Sequence, residues 1–178
     1  IQTIPGGGSF YVLDGFGGVH PVGGNLQVFP YSTDPTGTNY PYFGWDIARD
    51  FELTVGWESP ETPYISGMVL LDGFGGVHLR GEAANLFGKL PFQYFGWDIA
   101  RDIEISGDNR GVYVLDGYGG VHLRGVGAYY GSPYFGWDIA RDLAVYNDPS
   151  RGVMVLVLDG YGSVHSIDDE NVIPVTDV

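Results

Sequence analysis

Two phrases alternate strictly along this chain, and no other feature of the sequence constrains its fold as much. The turn phrase reads Leu-Asp-Gly-aromatic-Gly-Gly-Val-His, with Ser163 replacing one glycine in the last copy; the passage phrase reads Tyr-Phe-Gly-Trp-Asp-Ile-Ala-Arg-Asp. Self-similarity at a period of this size indicates a repeat architecture. The turn phrase occurs at Leu13–His20, Leu71–His78, Leu115–His122 and Leu158–His165, and the passage phrase at Tyr42–Asp50, Tyr94–Asp102 and Tyr134–Asp142.

The alternation divides the 178 residues into four repeats of one domain, 1–178. Successive turn aspartates are 58, 44 and 43 residues apart, and Ile1 precedes Asp14 by the same 13 residues that separate Ile103 from Asp116. The chain therefore opens in the phase that follows a passage phrase. We predict the repeats 1–50, 51–102, 103–142 and 143–178, of which the last lacks the passage phrase.

Each repeat has the pattern of short strands joined by turns, which the third repeat shows best. Its runs of β-branched and aromatic residues are bounded by glycine and other turn formers. The Asp-Gly-Tyr-Gly-Gly segment predicts a tight reversal, because glycine tolerates the positive φ that such turns need. No segment has a sustained helical period. The predicted strands are Arg101–Ile105, Gly111–Leu115, Val121–Arg124 and a short fourth one at Pro133–Gly136.

The second predicted strand of each repeat is apolar almost without alternation, as Val153–Leu158 shows. A strand that is apolar on both sides must be covered on both sides, which a stack of small sheets provides. Repeats of 36–52 residues with about four strands have the size of β-propeller blades. The phrasing resembles NHL- and YVTN-type blades and is similar to the GWDIARD…YVLDGxGGVH repeats of uncharacterised bacterial proteins. That resemblance implies an all-β propeller and implies no activity.

The number of blades stays open at this level. Four blades could close into a ring like that of haemopexin-like domains, form half of an eight-bladed ring, or belong to a longer array. The first and last repeats are both atypical, as terminal repeats of such arrays are.

Composition excludes several classes of partner. The net charge of −14, with Lys89 as the only lysine beside seven arginines, repels nucleic acid and anionic lipid. No apolar run approaches the roughly 20 residues of a membrane span, and zero cysteines exclude disulfides and thiolate metal sites. The chain starts at Ile1 without a charged leader, as expected of a processed mature protein or of a fragment of a longer one. The acidic, lysine-poor composition favours a secreted or cell-surface protein.

The recurring charged residues and histidines have a structural and a metal-binding interpretation. Arginines paired with flanking carboxylates would lock one repeat to the next, whereas carboxylates alone could hold calcium. Each histidine is expected to bond a nearby turn or aspartate, and a converging ring of imidazoles would instead bind a transition metal. We favour the structural interpretation and predict no cofactor, with calcium as the alternative. The residues are Asp46, Arg49, Asp50, Asp98, Arg101, Asp102, Asp138, Arg141, Asp142, His20, His78, His122 and His165.

Aromatic residues are the best functional lead, because flat rings receive sugar faces or apolar ligands. We interpret the recurring Trp45, Trp97 and Trp137 as wedges buried between blades. In an up-and-down blade, the turn and passage phrases share one face, and the insertions Gly23–Tyr40 and Gly56–Gly67 lie on the other. The predicted ligand contacts lie in these insertions: Tyr31, Tyr40, Trp57 and Tyr64.

Three functions remain open from the sequence. The first is a non-enzymatic binding module that holds a glycan or protein through the inserted loops. The second is a structural subunit that self-associates through its terminal repeats into a ring or fibre. The third, and the least favoured, is a hydrolase that uses an acid pair outside the repeats, Glu58 and Glu61. No catalytic residue is predicted, since every histidine belongs to the repeat.

Overall fold

A computed structural model describes residues 1–4, 8–24, 42–59, 62–127, 131–148, 152–167 and 172–175, with the backbone alone at 57–59, 62–63 and 172–175. The described residues form thirteen strands and one helix. They contain no helix that is long and apolar enough to cross a membrane.

The strands form four separate antiparallel sheets that follow one another along the chain, so the protein is all-β. Within each sheet the strands lie in sequence order, and each neighbour pair is antiparallel. The first sheet contains β1 Gln2–Thr3, β2 Phe10–Leu13 and β3 Val19–Val22; the second contains β4 Ala48–Ser59, β5 Thr62–Asp72 and β6 Val77–Gly81, followed by helix α1 Glu82–Phe87; the third contains β7 Ala100–Ile105, β8 Gly111–Asp116 and β9 Val121–Gly125; the fourth contains β10 Ala140–Asp148, β11 Gly152–Asp159, β12 Val164–Ile167 and β13 Val172–Val175.

The sheets pack face to face, and in the two middle sheets the continuous apolar run of the second strand supplies both interfaces. On β5, Met68 and Leu70 point into a cluster shared with the first sheet, while Val69 and Leu71 point into one shared with the third. Strand β8 repeats the arrangement, because alternate residues of a strand face opposite sides. Fully burying one such side chain contributes about 1.5–3 kcal/mol. These shared clusters hold the four repeats together in chain order.

The first strand of the second, third and fourth sheets carries the same β-bulge. Ala100 is opposite Asp116 and Asp102 is opposite Leu115, so that Arg101 is the extra residue. The same register shift places Arg49 and Arg141 in bulges. A bulge bends the strand and re-aims the side chains beside it. Each passage phrase therefore ends inside the first strand of the next sheet, with its arginine at an irregular position.

The structure corrects two predictions. Residues 133–136 are not a strand: Pro133 has no N–H, and Phe135 N–H donates to Tyr118 O (2.8 Å) as the chain crosses the third turn. The helix α1 was not predicted because six residues are too short for a recognisable period. Its Ala83 and Phe87, four residues apart on one side, are buried against the core of the second and third sheets.

Candidate binding face built from turns and passages

Each Asp-Gly reversal is organised by its aspartate. In the second repeat, Asp72 Oδ1 accepts hydrogen bonds from the N–H groups of Phe74 (2.9 Å) and Gly76 (2.8 Å), and Oδ2 contacts Nε2 of His78 at 2.9 Å. Burial acts to raise the pKa of Asp72, but the hydrogen bonds from His78 and Gly76 hold it below its ordinary value. All four histidines contact their own turn aspartate in this way: His20 with Asp14, His78 with Asp72, His122 with Asp116 and His165 with Asp159.

The passage phrases run directly across these turns, so both phrases lie on the same face. The carbonyl of Gly73 accepts hydrogen bonds from the N–H groups of Ile99 (2.8 Å) and Ala100 (2.9 Å), and its own N–H donates to the carbonyl of Ile47 (2.8 Å). The second turn is thus bonded to the passage that precedes it and to the passage that follows it. Gly117 has the same three bonds, with Ile139, Ala140 and Ile99.

Ion pairs link one passage to the next along this face. Arg49 donates to Asp98 from Nε (3.2 Å) and from a terminal nitrogen (2.6 Å), and Arg101 makes the same two-pronged contact with Asp138. The charge of Arg101 lowers the pKa of Asp138. Since an arginine fork matches a carboxylate in both position and charge, these pairs fix the spacing of neighbouring passages.

The second aspartate of each passage does something different from the first. Asp102 Oδ2 accepts the N–H of Leu143 in the next sheet (2.6 Å), and Asp50 Oδ2 accepts that of Ile103 (3.4 Å). The carboxyls of Asp50 and Asp102 also hydrogen-bond to each other, and burial raises the pKa of both. The sequence predicted that these residues pair with the arginines. In the structure they lie in β4 and β7 and accept backbone N–H groups of the next sheet instead.

Two further acids, both partly buried, join Asp50 and Asp102 and were missed from the sequence. Glu52 and Glu104 lie two residues after Asp50 and Asp102, on the same side of the strand. Burial, with the charges of Glu104 and Asp50, raises the pKa of Glu52 to about 9. Burial, with the charge of Asp50, raises the pKa of Glu104 to about 8. The Asp-x-Glu spacing in a first strand was the signal that could have identified them.

The turn aspartates and the first aspartates of the second and third passages bind partners other than a metal ion. Calcium takes six to eight oxygens, and the turn aspartates direct theirs to backbone N–H groups and histidine. Asp98 and Asp138 are paired with arginines. Within the described ranges, no group of three His, Asp or Glu residues is placed to hold a metal ion.

The recurring Trp45, Trp97 and Trp137 lie on this face and form aromatic strips with aromatic residues of the turns and passages. Two strips are complete, Trp45–Phe74–Tyr94 and Trp97–Tyr118–Tyr134; two are partial, Phe16–Tyr42 and Trp137–Tyr161. The ring centroid of each of these three tryptophans lies 5.7–5.9 Å from the ring centroid of the turn aromatic in the next sheet.

The structure corrects the interpretation of these tryptophans as buried wedges. Trp45, Trp97 and Trp137 are 50–54% exposed, and the tyrosines Tyr94 and Tyr134 are 65% and 75% exposed. Exposed aromatic side chains that recur in contiguous groups mark an interaction surface more often than a packing device. The arginine pairs lie beside the turns of the two complete strips. Asp98 is so close to Gly73, and Asp138 to Gly117, that a methyl group on either glycine would overlap the carboxylate.

Of the four predicted ligand contacts in the inserted loops, only Tyr64 has a described side chain. Tyr31, Tyr40 and Glu61 lie outside the described residues, as do the side chains of Trp57 and Glu58. Tyr64 is about half exposed and lines an open groove of about 740 Å³ with Glu82, Asn85 and Arg110. This groove lies between the extended β4–β5 hairpin, helix α1 and the β7–β8 turn.

Comparisons with protein families, with curated proteins and with solved structures found no match for this chain. Its function is therefore inferred from the geometry of its own residues.

Proposed function

We propose that this protein is a non-enzymatic binding module that holds an uncharged glycan on its aromatic strips. The observation that supports this most is the recurrence of half-exposed tryptophans, each beside a turn aromatic that in two of the three cases also contacts a passage tyrosine. Three repeats present the same kind of group, which suits a ligand that is itself repetitive. This proposal moves the ligand contacts from the inserted loops to the face that carries the phrases.

The chemistry of the face matches a sugar ring. The apolar face of a sugar packs on flat aromatic rings, and the hydroxyl groups around its edge need donors and acceptors. Beside the strip Trp97–Tyr118–Tyr134, the Arg101–Asp138 pair offers both. The net charge of −14 disfavours sulfated or uronic-acid polymers, so the proposed ligand is neutral.

We also propose that the four sheets are blades of a β-propeller, similar to NHL- and YVTN-type blades. Four antiparallel sheets that pack face to face in chain order support this. In such an arrangement, the turn and passage phrases form one end surface. A ligand on that surface would meet several strips at once, so that weak contacts add up.

The test is a titration with soluble neutral polysaccharides, read by quenching of tryptophan fluorescence and by retardation in affinity gels. Trp97→Ala removes one ring of a complete strip and should weaken binding about tenfold, as loss of one stacked ring commonly costs 1–3 kcal/mol. Its unfolding midpoint should change little because the ring is half exposed.

Tyr64→Ala is the matched control, since Tyr64 is another half-exposed aromatic in an insertion on the opposite face. The proposal predicts unchanged binding for this variant. Binding that survives Trp97→Ala but is lost in Tyr64→Ala would return the function to the inserted loops. Absence of any retardation by a panel of neutral glycans would refute glycan binding altogether.

A further inference from the structure

The contacts of each passage phrase with its two neighbouring sheets recur three times, and the fourth sheet lacks one half of them. The Ile and Ala N–H groups of a passage donate to the turn of its own repeat, and its tyrosine packs on the aromatic residue of that turn. The first aspartate of the second and third passages also pairs with the arginine of the preceding passage. The sequence has three passages for four turns. The turn at Asp159–Gly162 is the one without a passage of its own.

Several groups at this turn are open where their counterparts are engaged. In the described part of the chain, no N–H donates to the carbonyl of Gly160, whereas two donate to that of Gly117. Tyr161 is 73% exposed, while its counterpart Tyr118 is covered by Tyr134 and only partly exposed. Gly162 and Gly119 are at equivalent positions of their turns. A methyl group on Gly119 would overlap Pro133 O and the Phe135 ring, whereas no described atom lies within 4 Å of one on Gly162.

Arg141 beside this turn also lacks a contact that its two counterparts make in the described structure. Arg49 and Arg101 reach forward to the aspartate of the next passage, but the only described carboxylate that Arg141 contacts is that of Asp138 in its own passage. Its side chain is 48% exposed, against 18% for Arg101. Among the described residues, nothing lies closer than 3.4 Å to a methyl group placed on Gly160, whereas one placed on Gly117 would overlap Asp138.

We propose that the fourth sheet is a docking site for a peptide segment of the passage type, Tyr-Phe-Gly-Trp-Asp-Ile-Ala-Arg-Asp, supplied by another protein chain. Its Ile and Ala N–H groups would bond the Gly160 carbonyl, its tyrosine would stack on Tyr161, and its first aspartate would pair with Arg141. The occupied junctions within the chain show the geometry of these contacts: three show the backbone bonds and the tyrosine contact, and two show the arginine pair. An extended segment that bonds through its backbone, with side chains read in pockets, is an established mode of peptide recognition.

An intact second copy of this chain does not provide such a segment. Its three passages are already bonded to their own turns and to the following sheets. The partner must therefore carry a passage phrase that has no turn of its own. The first sheet offers the other half of the same junction, since His20 has no ring over it among the described residues, while Phe43, Phe95 and Phe135 cover His78, His122 and His165.

The experiment uses the full chain and a synthetic peptide of sequence Tyr-Phe-Gly-Trp-Asp-Ile-Ala-Arg-Asp, labelled with fluorescein and followed by anisotropy. Saturable binding is expected, and a peptide with Asn in place of the first Asp should bind about tenfold more weakly, since it cannot neutralise Arg141. Arg141→Ala should weaken the unmodified peptide to a similar extent. Arg110→Ala is the control, because Arg110 is exposed at the distant β7–β8 turn.

Gly160→Ala is the sharpest variant, because the methyl group fits the isolated chain but occupies the position of the incoming aspartate. It should abolish peptide binding while the unfolding transition stays within experimental error of the parent. No saturable binding of the peptide, equal binding of a scrambled peptide, or unchanged binding to Gly160→Ala would each overturn the proposal.

Discussion

The guanidinium of Arg101 binds the carboxylate of Asp138, which belongs to the next passage 37 residues along the chain. Arg49 and Asp98 repeat the relationship between the preceding passages. These pairs join successive repeats at the surface, while the apolar clusters join them inside. Because both partners are partly exposed, their contribution to stability is modest, and their main effect is to set the position of the passages that carry the tryptophans.

Arg101→Ala is expected to lower the free energy of unfolding by about 0.5–1 kcal/mol, since the pair is partly screened by solvent. Urea unfolding in low salt measures this directly. Arg141→Ala, whose arginine lacks the forward partner, should cost less. An equal loss in both variants would mean that the contact between passages contributes nothing of its own.

Asp72→Ala should destabilise the second turn by about 2 kcal/mol, because it leaves the N–H groups of Phe74 and Gly76 without an acceptor. His78→Ala removes one contact from the same carboxylate and should cost less. Thermal unfolding of both variants provides the comparison. The native pKa of Asp72 is lowered, so its stabilisation is present above the unfolded-state value and is lost as the pH falls through the native one.

The buried acids predict the opposite trend at higher pH. Glu52 and Glu104 have native pKa values of about 9 and about 8, above the unfolded value of 4.5, so the folded state binds their protons more tightly. Their contribution is complete below pH 4.5 and is lost as the pH rises through 8 to 9, with a slope of at most about 1.4 kcal/mol per pH unit for each group.

Glu104→Gln should therefore raise the melting temperature at pH 9 relative to the parent and flatten its dependence on pH between 5 and 9. Glu82→Gln is the control, since Glu82 is exposed at the start of α1. Melting curves at five pH values are sufficient. A pH dependence that is the same in Glu104→Gln and the parent would remove this carboxyl as its cause.

Gly117→Ala and Gly160→Ala form a matched pair at equivalent turn positions. A methyl group at Gly117 would overlap Oδ1 of Asp138, whereas one at Gly160 has room. Overpacking of this kind costs about 1–3 kcal/mol, so Gly117→Ala should shift the urea midpoint clearly and Gly160→Ala should not. If both variants are destabilised alike, crowding by the passage aspartate is not the reason for glycine at this position.

The periodic parts of the fold could be predicted because they are local or repeated. The reversal at Asp116–Gly120 follows from glycine placement, and the cover on both sides of β8 follows from a strand that is apolar throughout. The fourth strand at 133–136 was wrong because strand pairing depends on what lies beside the segment, and here the chain crosses the third turn. Helix α1 was missed because its two buried residues, Ala83 and Phe87, acquire meaning only against the core.

The candidate site shows the same division. The alternation of two phrases was enough to establish a chain of repeated sheets, since a period repeats the same local geometry each time. It could not show that Trp97 is half exposed, because a recurring aromatic residue suits a core and a surface strip equally well. Nor could it separate Asp98 from Asp102, which differ by the bulge at Arg101 and by burial. Exposure, the partners of each carboxyl and the vacancy beside Gly160 are set by contacts between residues tens of positions apart, and those contacts exist only once the sheets have packed.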